Sequence, residues 1–192
     1  MEKNFNLFIN GVGGQGILTL LQIIAESALI EGHDVKTSEL HGLSQRGGSV
    51  AVHIRFGQNI YSPLVKQRGA DLIISLEAQE PLRGCHFASQ KTTFLINDSF
   101  IPIPNQKIKT KEEILKEIKK FSKKIFFISA SEICKKEVGT EITAGIFLLS
   151  FASFNDLIPL KPNSILKAIK KVIPKKYLDL NIKTFELGKK IE

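Results

Sequence analysis

The apolar positions of this 192-residue chain change their period several times, and each change marks the start of a new element. Asn6-Leu7-Phe8-Ile9 is a short apolar run ending at a glycine cluster, which predicts a buried strand. From Ile17 to Glu31 the period becomes helical: Leu20, Leu21, Ile24, Ala28 and Leu29 recur on one face, and Gly32 supplies a left-handed stop. Asp34 to Glu39 follows as a second strand. The segment Ser49 to Phe56 alternates strictly, with Val50, Val52, Ile54 and Phe56 on one face and Ala51, His53 and Arg55 on the other, the pattern of a strand with one dry face. A turn at Gly57-Gln58-Asn59 leads on to Asp71–Leu76 and Thr92–Ile96, further strands separated by a helix-length interval. These connections suit parallel pairing.

The second half is mainly helical in period. Ile101-Pro102-Ile103-Pro104 is extended, because each proline biases the residue before it away from the α region. Thr110 with Glu113 three residues later forms a capping box at the head of an amphipathic helix. Lys124-Ile125-Phe126-Phe127-Ile128 is a final strand, and segments 141–154, 163–173 and 175–188, separated by Pro159, Pro162 and Pro174, predict helices that cover the sheet. The whole is an α/β chain: a three-layer open sheet, mostly parallel, with a Rossmann-like start and a helical C-terminal part. At this length, and without a repeat, low-complexity run or linker, residues 1–192 are expected to form one domain.

Composition narrows the class. Apolar residues at 43% and charged residues at 24% are those of a globular protein. The longest apolar stretch, Ile142 to Phe154, is shorter than the ~20 residues of a membrane span, and Met1-Glu2-Lys3-Asn4-Phe5 is no signal peptide, so a cytoplasmic location is expected. The formal charge of +8 is carried by the C-terminal half: residues 1–96 hold 8 basic and 8 acidic side chains, residues 97–192 hold 19 lysines and 11 acids. Scattered lysine without interleaved arginine or aromatics argues a solvated or protein-binding surface rather than a nucleic-acid groove. Cys85 and Cys134 are too few and too far apart for a zinc site, a disulfide framework or a four-thiolate iron–sulfur cluster, and both suit small buried hydrophobes.

Two constellations carry candidate chemistry. Gly11-Val12-Gly13-Gly14-Gln15-Gly16 matches Gly-x-Gly-x-x-Gly between a strand and a helix, where bare backbone N–H groups can approach an anion. A dinucleotide reading needs an acid on the second strand for the ribose; Asp34 lies at its start and Glu39 beyond the usual spacing, so the fingerprint is half supported and a plain tight turn stays open. The second constellation, Ser38-Glu39-Leu40-His41-Gly42-Leu43-Ser44-Gln45-Arg46-Gly47-Gly48-Ser49-Val50, follows the second strand and is placed to flank the same crevice. Arg46 beside Gly47 and Gly48 suits a carboxylate or phosphate, or an ordinary surface ion pair. His41 lines the site as a candidate proton-transfer group, although no Ser, Cys or carboxylate partner is evident, and His33, His53 and His86 lack metal-ligand spacing.

Gly11 to Leu18 followed by Ser38 to Val50 resembles the gamma-type domain of pyruvate/ketoisovalerate ferredoxin oxidoreductases, and the second motif is similar to the beta-subunit family of indolepyruvate ferredoxin oxidoreductase. Asp179-Leu180-Asn181-Ile182-Lys183-Thr184-Phe185-Glu186-Leu187-Gly188 is similar to that family's closing Asn and Gly pattern, whereas residues 97–140 match no motif. The resemblance implies oxidative decarboxylation of a 2-oxoacid, an aryl pyruvate such as indolepyruvate or phenylpyruvate, to an acyl-coenzyme A, with electrons passed to ferredoxin. It implies a large partner subunit holding thiamine diphosphate, magnesium and the iron–sulfur clusters, with no cofactor held by this chain alone. It also implies ligand-binding roles for Gly11, Gly13, Gly14, Gln15, Gly16, Ser44, Arg46, Gly47 and Gly48. Two alternatives remain: a gamma subunit serving pyruvate, 2-oxoisovalerate or 2-oxoglutarate, and a stand-alone dinucleotide-binding module.

Overall fold

Alternate apolar residues on successive strands build a six-stranded mixed sheet with helices on both faces. The computed structural model describes residues 4–41, 47–102 and 108–190. The strands are β1 (Phe5–Val12), β2 (Asp34–His41), β3 (Ser49–Gly57), β4 (Leu72–Ser75), β5 (Thr93–Asn97) and β6 (Lys124–Ile128), in the order β2-β3-β1-β4-β5-β6. β4, β5 and β6 extend from β1 in parallel. β3, however, runs antiparallel to both β1 and β2. The parallel connection expected between the strands at 71–76 and 92–96 is present, while β3 turns back because residues 42–48 are too few for a parallel crossover, which needs about a dozen residues or more.

The helices are α1 (Ile17–Ile30), α2 (Pro81–Gly84), α3 (Lys111–Ile118), α4 (Ala130–Val138), α5 (Ala144–Phe154), α6 (Pro162–Val172) and α7 (Lys175–Leu187). Leu7, Ile9, Ile54, Leu72, Ile74 and Leu95 point to one face and pack against α1 and α4–α7. Phe8, Ile73, Phe94 and Ile96 point to the other, where α3 supplies Ile114 and Ile118. The helix-length interval between β4 and β5 holds only the one-turn α2 and a 3₁₀ turn at Cys85–Phe87. The pattern missed α4, because its apolar stripe is thin: only Ala130 and Cys134, one turn apart, are buried. The Thr110 capping box is present, with the hydroxyl accepting from the Glu113 N–H and the Glu113 carboxylate accepting from the Thr110 N–H. Ile101 and Pro102 lie in neither helix nor strand; Ile103 and Pro104 fall outside the described residues.

β3 does not have one dry face. His53, on the side opposite Val52 and Ile54, is 2% exposed. It sits between the rings of Phe8 (5.0 Å) and Phe87 (4.9 Å), and its Nδ1 accepts from the Val65 N–H at 3.2 Å. Burial pushes its pKa below the usual histidine value. The unfolded chain therefore takes a proton near pH ~6.5 while the folded chain still resists it. Stability carried by neutral His53 is present above that pH and is lost as pH falls toward the depressed folded value. His53→Phe should remove this slope: from pH 7.5 to 5.5 the urea midpoint of the wild type should fall by more than that of the variant. Equal falls would mean that His53 does not carry the acid sensitivity.

Candidate functional site

The chain leaves β1, turns through Val12–Gly16 into α1, builds the β2–β3 pair on one side of β1, and then returns to place β4 on the other. In an open α/β sheet such a reversal leaves a crevice at the carboxyl ends of the strands. A cavity of about 330 Å³ occupies it, lined among others by Gly14, Gln15, Leu76, Asn97, Ser131 and Gly145.

The glycine turn is shaped by Gln15. Its Oε1 accepts the Val12 N–H at 2.8 Å, and its Nε2 donates to the Leu76 carbonyl at 3.0 Å, tying the turn to the end of β4. This bridge passes over Gly11, where a Cβ would meet Gln15 Oε1 at 2.7 Å and Leu76 Cβ at 3.1 Å. Gly16, in the left-handed region at φ 78°, caps α1 without a side-chain bond. The Gly13 N–H donates to the Gly48 carbonyl at 2.9 Å, so the two sequence motifs meet through their backbones.

Asn97 closes the far side. Its Nδ2 donates to the Leu76 carbonyl at 3.0 Å and to Ser131 Oγ at 2.8 Å, while its Oδ1 accepts the Ser131 N–H at 3.1 Å. The starts of α1, α4 and α5 all contribute to the lining, and none of the three carries a side-chain cap bond. The positive ends of these helix dipoles favour an anion, while the carboxylate of Glu141, which also lines the cavity, opposes one.

On the opposite face of the sheet a buried polar cluster fixes the arm that follows the second motif. Ser49 Oγ donates to Glu80 Oε2 at 2.5 Å, and Arg83 Nε pairs with Glu80 Oε1 at 3.2 Å. Asn10 Nδ2 donates to the Glu80 carbonyl at 2.6 Å, and Ser75 Oγ donates to Asn10 Oδ1 at 2.6 Å. Neighbouring Glu77 accepts three backbone N–H groups, from Gln79 (2.6 Å), Glu80 (3.1 Å) and Ile101 (3.2 Å). Burial nevertheless pushes its carboxyl above the usual range, helped by the charge of Glu80 and opposed by those donors. Sequence reasoning missed Asn10, Glu77, Glu80 and Asn97. The available signal was a polar residue ending, or just following, an otherwise apolar strand.

Of the residues singled out from sequence, Gly14 and Gln15 line the cavity, Gly11 lies beneath the Gln15 bridge, Gly16 caps α1, Gly13 meets Gly48 through the backbone, and Gly47 has φ 73°. His41 pairs through its backbone with Val50 at the end of β2; its side chain, and all of Ser44 and Arg46, lie outside the described residues. Neither candidate ribose acid suits a dinucleotide. Asp34 Oδ2 accepts from the Asn59 N–H at 2.9 Å in the β2–β3 corner. Glu39 is on a strand separated from β1 by β3, about 10 Å away at the usual strand spacing.

The cysteines lie on opposite faces of the sheet, Cys85 in one core and Cys134 in the other. Burial, with the charge of Glu117, pushes the Cys85 thiol up to about 11, and burial also raises Cys134. Both are poor thiolates. Among the described residues no group of three or more His, Cys, Asp or Glu side chains is placed to hold a metal, and no helix is long and apolar enough to cross a membrane.

Residues 6–191 match the family described as "Pyruvate ferredoxin/flavodoxin oxidoreductase". The chain is 35% identical over 188 residues to the indolepyruvate oxidoreductase subunit IorB of Archaeoglobus fulgidus, covering 95% of this chain and 92% of that one. It is 31% identical over 168 residues to the pyruvate/ketoisovalerate oxidoreductases common subunit gamma of Pyrococcus furiosus, covering 84% and 82%. Its fold is similar to that of the pyruvate oxidoreductase subunit PORC of Thermotoga maritima, with a TM-score of 0.73 at 22% identity over 98% of this chain and 97% of that one. The chain belongs to the pyruvate ferredoxin/flavodoxin oxidoreductase family. Within it, it is the small subunit of a 2-oxoacid ferredoxin oxidoreductase and thus one part of a multi-subunit enzyme.

Proposed function

We propose that this subunit serves an indolepyruvate ferredoxin oxidoreductase, which oxidatively decarboxylates aryl pyruvates to acyl-coenzyme A in the cytoplasm. The observation that carries this reading is the near full-length likeness to IorB, coupled with two motifs that meet at the carboxyl ends of the strands. The whole chain acts as one gamma-type unit. A large partner subunit holds thiamine diphosphate, magnesium and the iron–sulfur clusters, and ferredoxin is reached through the complex. Thiamine diphosphate, bound there, supplies the carbanion that makes the decarboxylation feasible. This chain's own contribution is a rigid, anion-favouring crevice. Gly11, Gly13, Gly14, Gln15 and Gly16 shape its backbone wall, and the sequence motif assigns Ser44, Arg46, Gly47 and Gly48 to binding a carboxylate or a coenzyme A phosphate, with His41 as a further candidate.

The gamma-subunit likeness favours a second reading, in which the complex serves pyruvate, 2-oxoisovalerate or 2-oxoglutarate. Steady-state kinetics on the complex reconstituted with its large subunit separates the two, with the isolated chain as the blank. Indolepyruvate should exceed pyruvate, 2-oxoisovalerate and 2-oxoglutarate in kcat/KM by about tenfold or more, roughly 1.4 kcal/mol of transition-state discrimination. A preference for any of the small 2-oxoacids would establish the second reading, and ferredoxin reduction by the isolated chain would refute both.

A further inference from the structure

The last third of the chain presents a basic surface around an apolar groove. From Leu157 to Leu178 there are six lysines, at 161, 167, 170, 171, 175 and 176, and no Asp or Glu. All six are exposed, and Lys171 is tied to Glu26 of α1 at 2.6 Å. The lysines of α3 are different: Glu112, Glu113 and Glu117 are interspersed among them, and Lys120 pairs with Glu117 at 2.6 Å. Lys175 and Lys176 occupy the first turn of α7, where no acid accompanies them. Cations at the positive end of a helix dipole are unfavourable; Asp179, one turn on, offsets part of this charge, and the remainder favours carboxylates from outside the chain.

The groove lies directly beside that turn, between α1, the start of α5 and the α6–α7 corner. It encloses about 530 Å³ and is lined by apolar side chains including Leu20, Ile146, Val172 and Ile173. Ile142 and Tyr177 stand at its lips, 63% and 50% exposed. Lys176 Nζ lies 5.3 Å from the Tyr177 ring centroid. An apolar centre with an aromatic lip and a charged rim is the anatomy of a protein interface.

We propose that this groove and its lysine rim receive an acidic, apolar segment of the large partner subunit, with Leu, Ile or Phe side chains in the groove and Asp or Glu against Lys175 and Lys176. A second copy of this chain is a poor occupant, because a symmetric pairing sets one lysine rim against another. The inference rests on the chain being a subunit of a larger enzyme and not on which 2-oxoacid that enzyme uses.

The test measures affinity between this chain and its purified large subunit at 50 and 300 mM salt. The double variant Lys175→Glu/Lys176→Glu should bind about tenfold or more weakly at low salt, with a smaller deficit at high salt as the charges are screened. Tyr177→Ser should weaken binding about tenfold at both salts. Lys116→Glu/Lys119→Glu, on α3 and at its C-cap, should stay within about twofold, since rim charges away from a contact matter little. Thermal unfolding of each isolated variant checks that the fold is kept. Unchanged affinity in folded variants of both the turn and Tyr177 would overturn the proposal, as would self-association of the chain alone that these variants abolish. A complex that assembles as expected but ignores indolepyruvate would refute only the substrate assignment.

Discussion

Replacing Gly188 by alanine should destabilise the folded chain by about 2–3 kcal/mol, the range expected for overpacking a well-filled core. Gly188 follows α7 with φ −64° and ψ −16°, a conformation open to any residue, so backbone freedom is not its purpose. Close approach is. A Cβ there would collide with Ser150 Oγ and lie 2.6 Å from Ser150 Cβ and 2.9 Å from the Phe151 nitrogen. The last of these is backbone at the centre of fully packed α5 and cannot rotate aside. The hydroxyl of Ser150 is itself engaged, donating to the Phe185 carbonyl on α7. Movement of either helix would disturb the core in which Phe147, Phe151 and Phe185 are buried. The expected readout is a fall in melting temperature of about 5–10 °C for a chain of this size. Ser150→Gly added to Gly188→Ala should recover part of the loss by removing two of the three close contacts. A single variant within about 0.5 kcal/mol of wild type, an ordinary surface effect, would show that α5 and the end of α7 are not locked by this contact.

Arg46→Ala in the reconstituted complex should weaken turnover by roughly ten- to a hundredfold, the loss of a charge-assisted pair worth about 1.5–3 kcal/mol. Arg46 lies outside the described residues, so the expectation rests on its sequence context and on what flanks it. β2 ends at His41, β3 begins at Ser49, and the returning arm is held at Gly48 by the Gly13 N–H and at Ser49 by buried Glu80. The described residues on either side of it are thus held at the strand ends. A guanidinium there, next to two glycines, offers a planar donor to a carboxylate or phosphate with room for the ligand. Varying the 2-oxoacid and coenzyme A separately identifies which anion is bound, and lysine should rescue only partly because it lacks the planar fork. Wild-type kinetics toward both ligands would refute the anion role, and loss of assembly would assign Arg46 to the subunit interface.

Local sequence determined much of this protein. Apolar runs and period-2 and period-3.6 patterns located every strand and the helices at 17–30, 111–118, 144–154, 162–172 and 175–187, most of which bury a face or stripe, although β2 and β6 are only partly covered. The Gly11–Gly16 turn was legible because Gly11 sits in close contact and Gly14 and Gly16 take positive φ, and the motif at 38–50 was distinctive enough to point to the family. Other features were decided only by the tertiary structure, and each depends on distant chain segments. The short 42–48 connection sets β3 antiparallel to β2, but its insertion between β1 and β2 is a matter of strand pairing, which alternation alone does not encode. His53 looked like the wet face of a strand until Phe8 and Phe87 closed over it. Gln15 and Asn97 both bond the Leu76 carbonyl across 61 and 21 residues, so their joint role is invisible along the chain. Gly188 matched a closing pattern, but its reason, the approach of α7 to Ser150, exists only once α5 and α7 pack. Local period sets what each segment becomes; side chains with partners far along the chain acquire their roles only when packing brings those partners within reach.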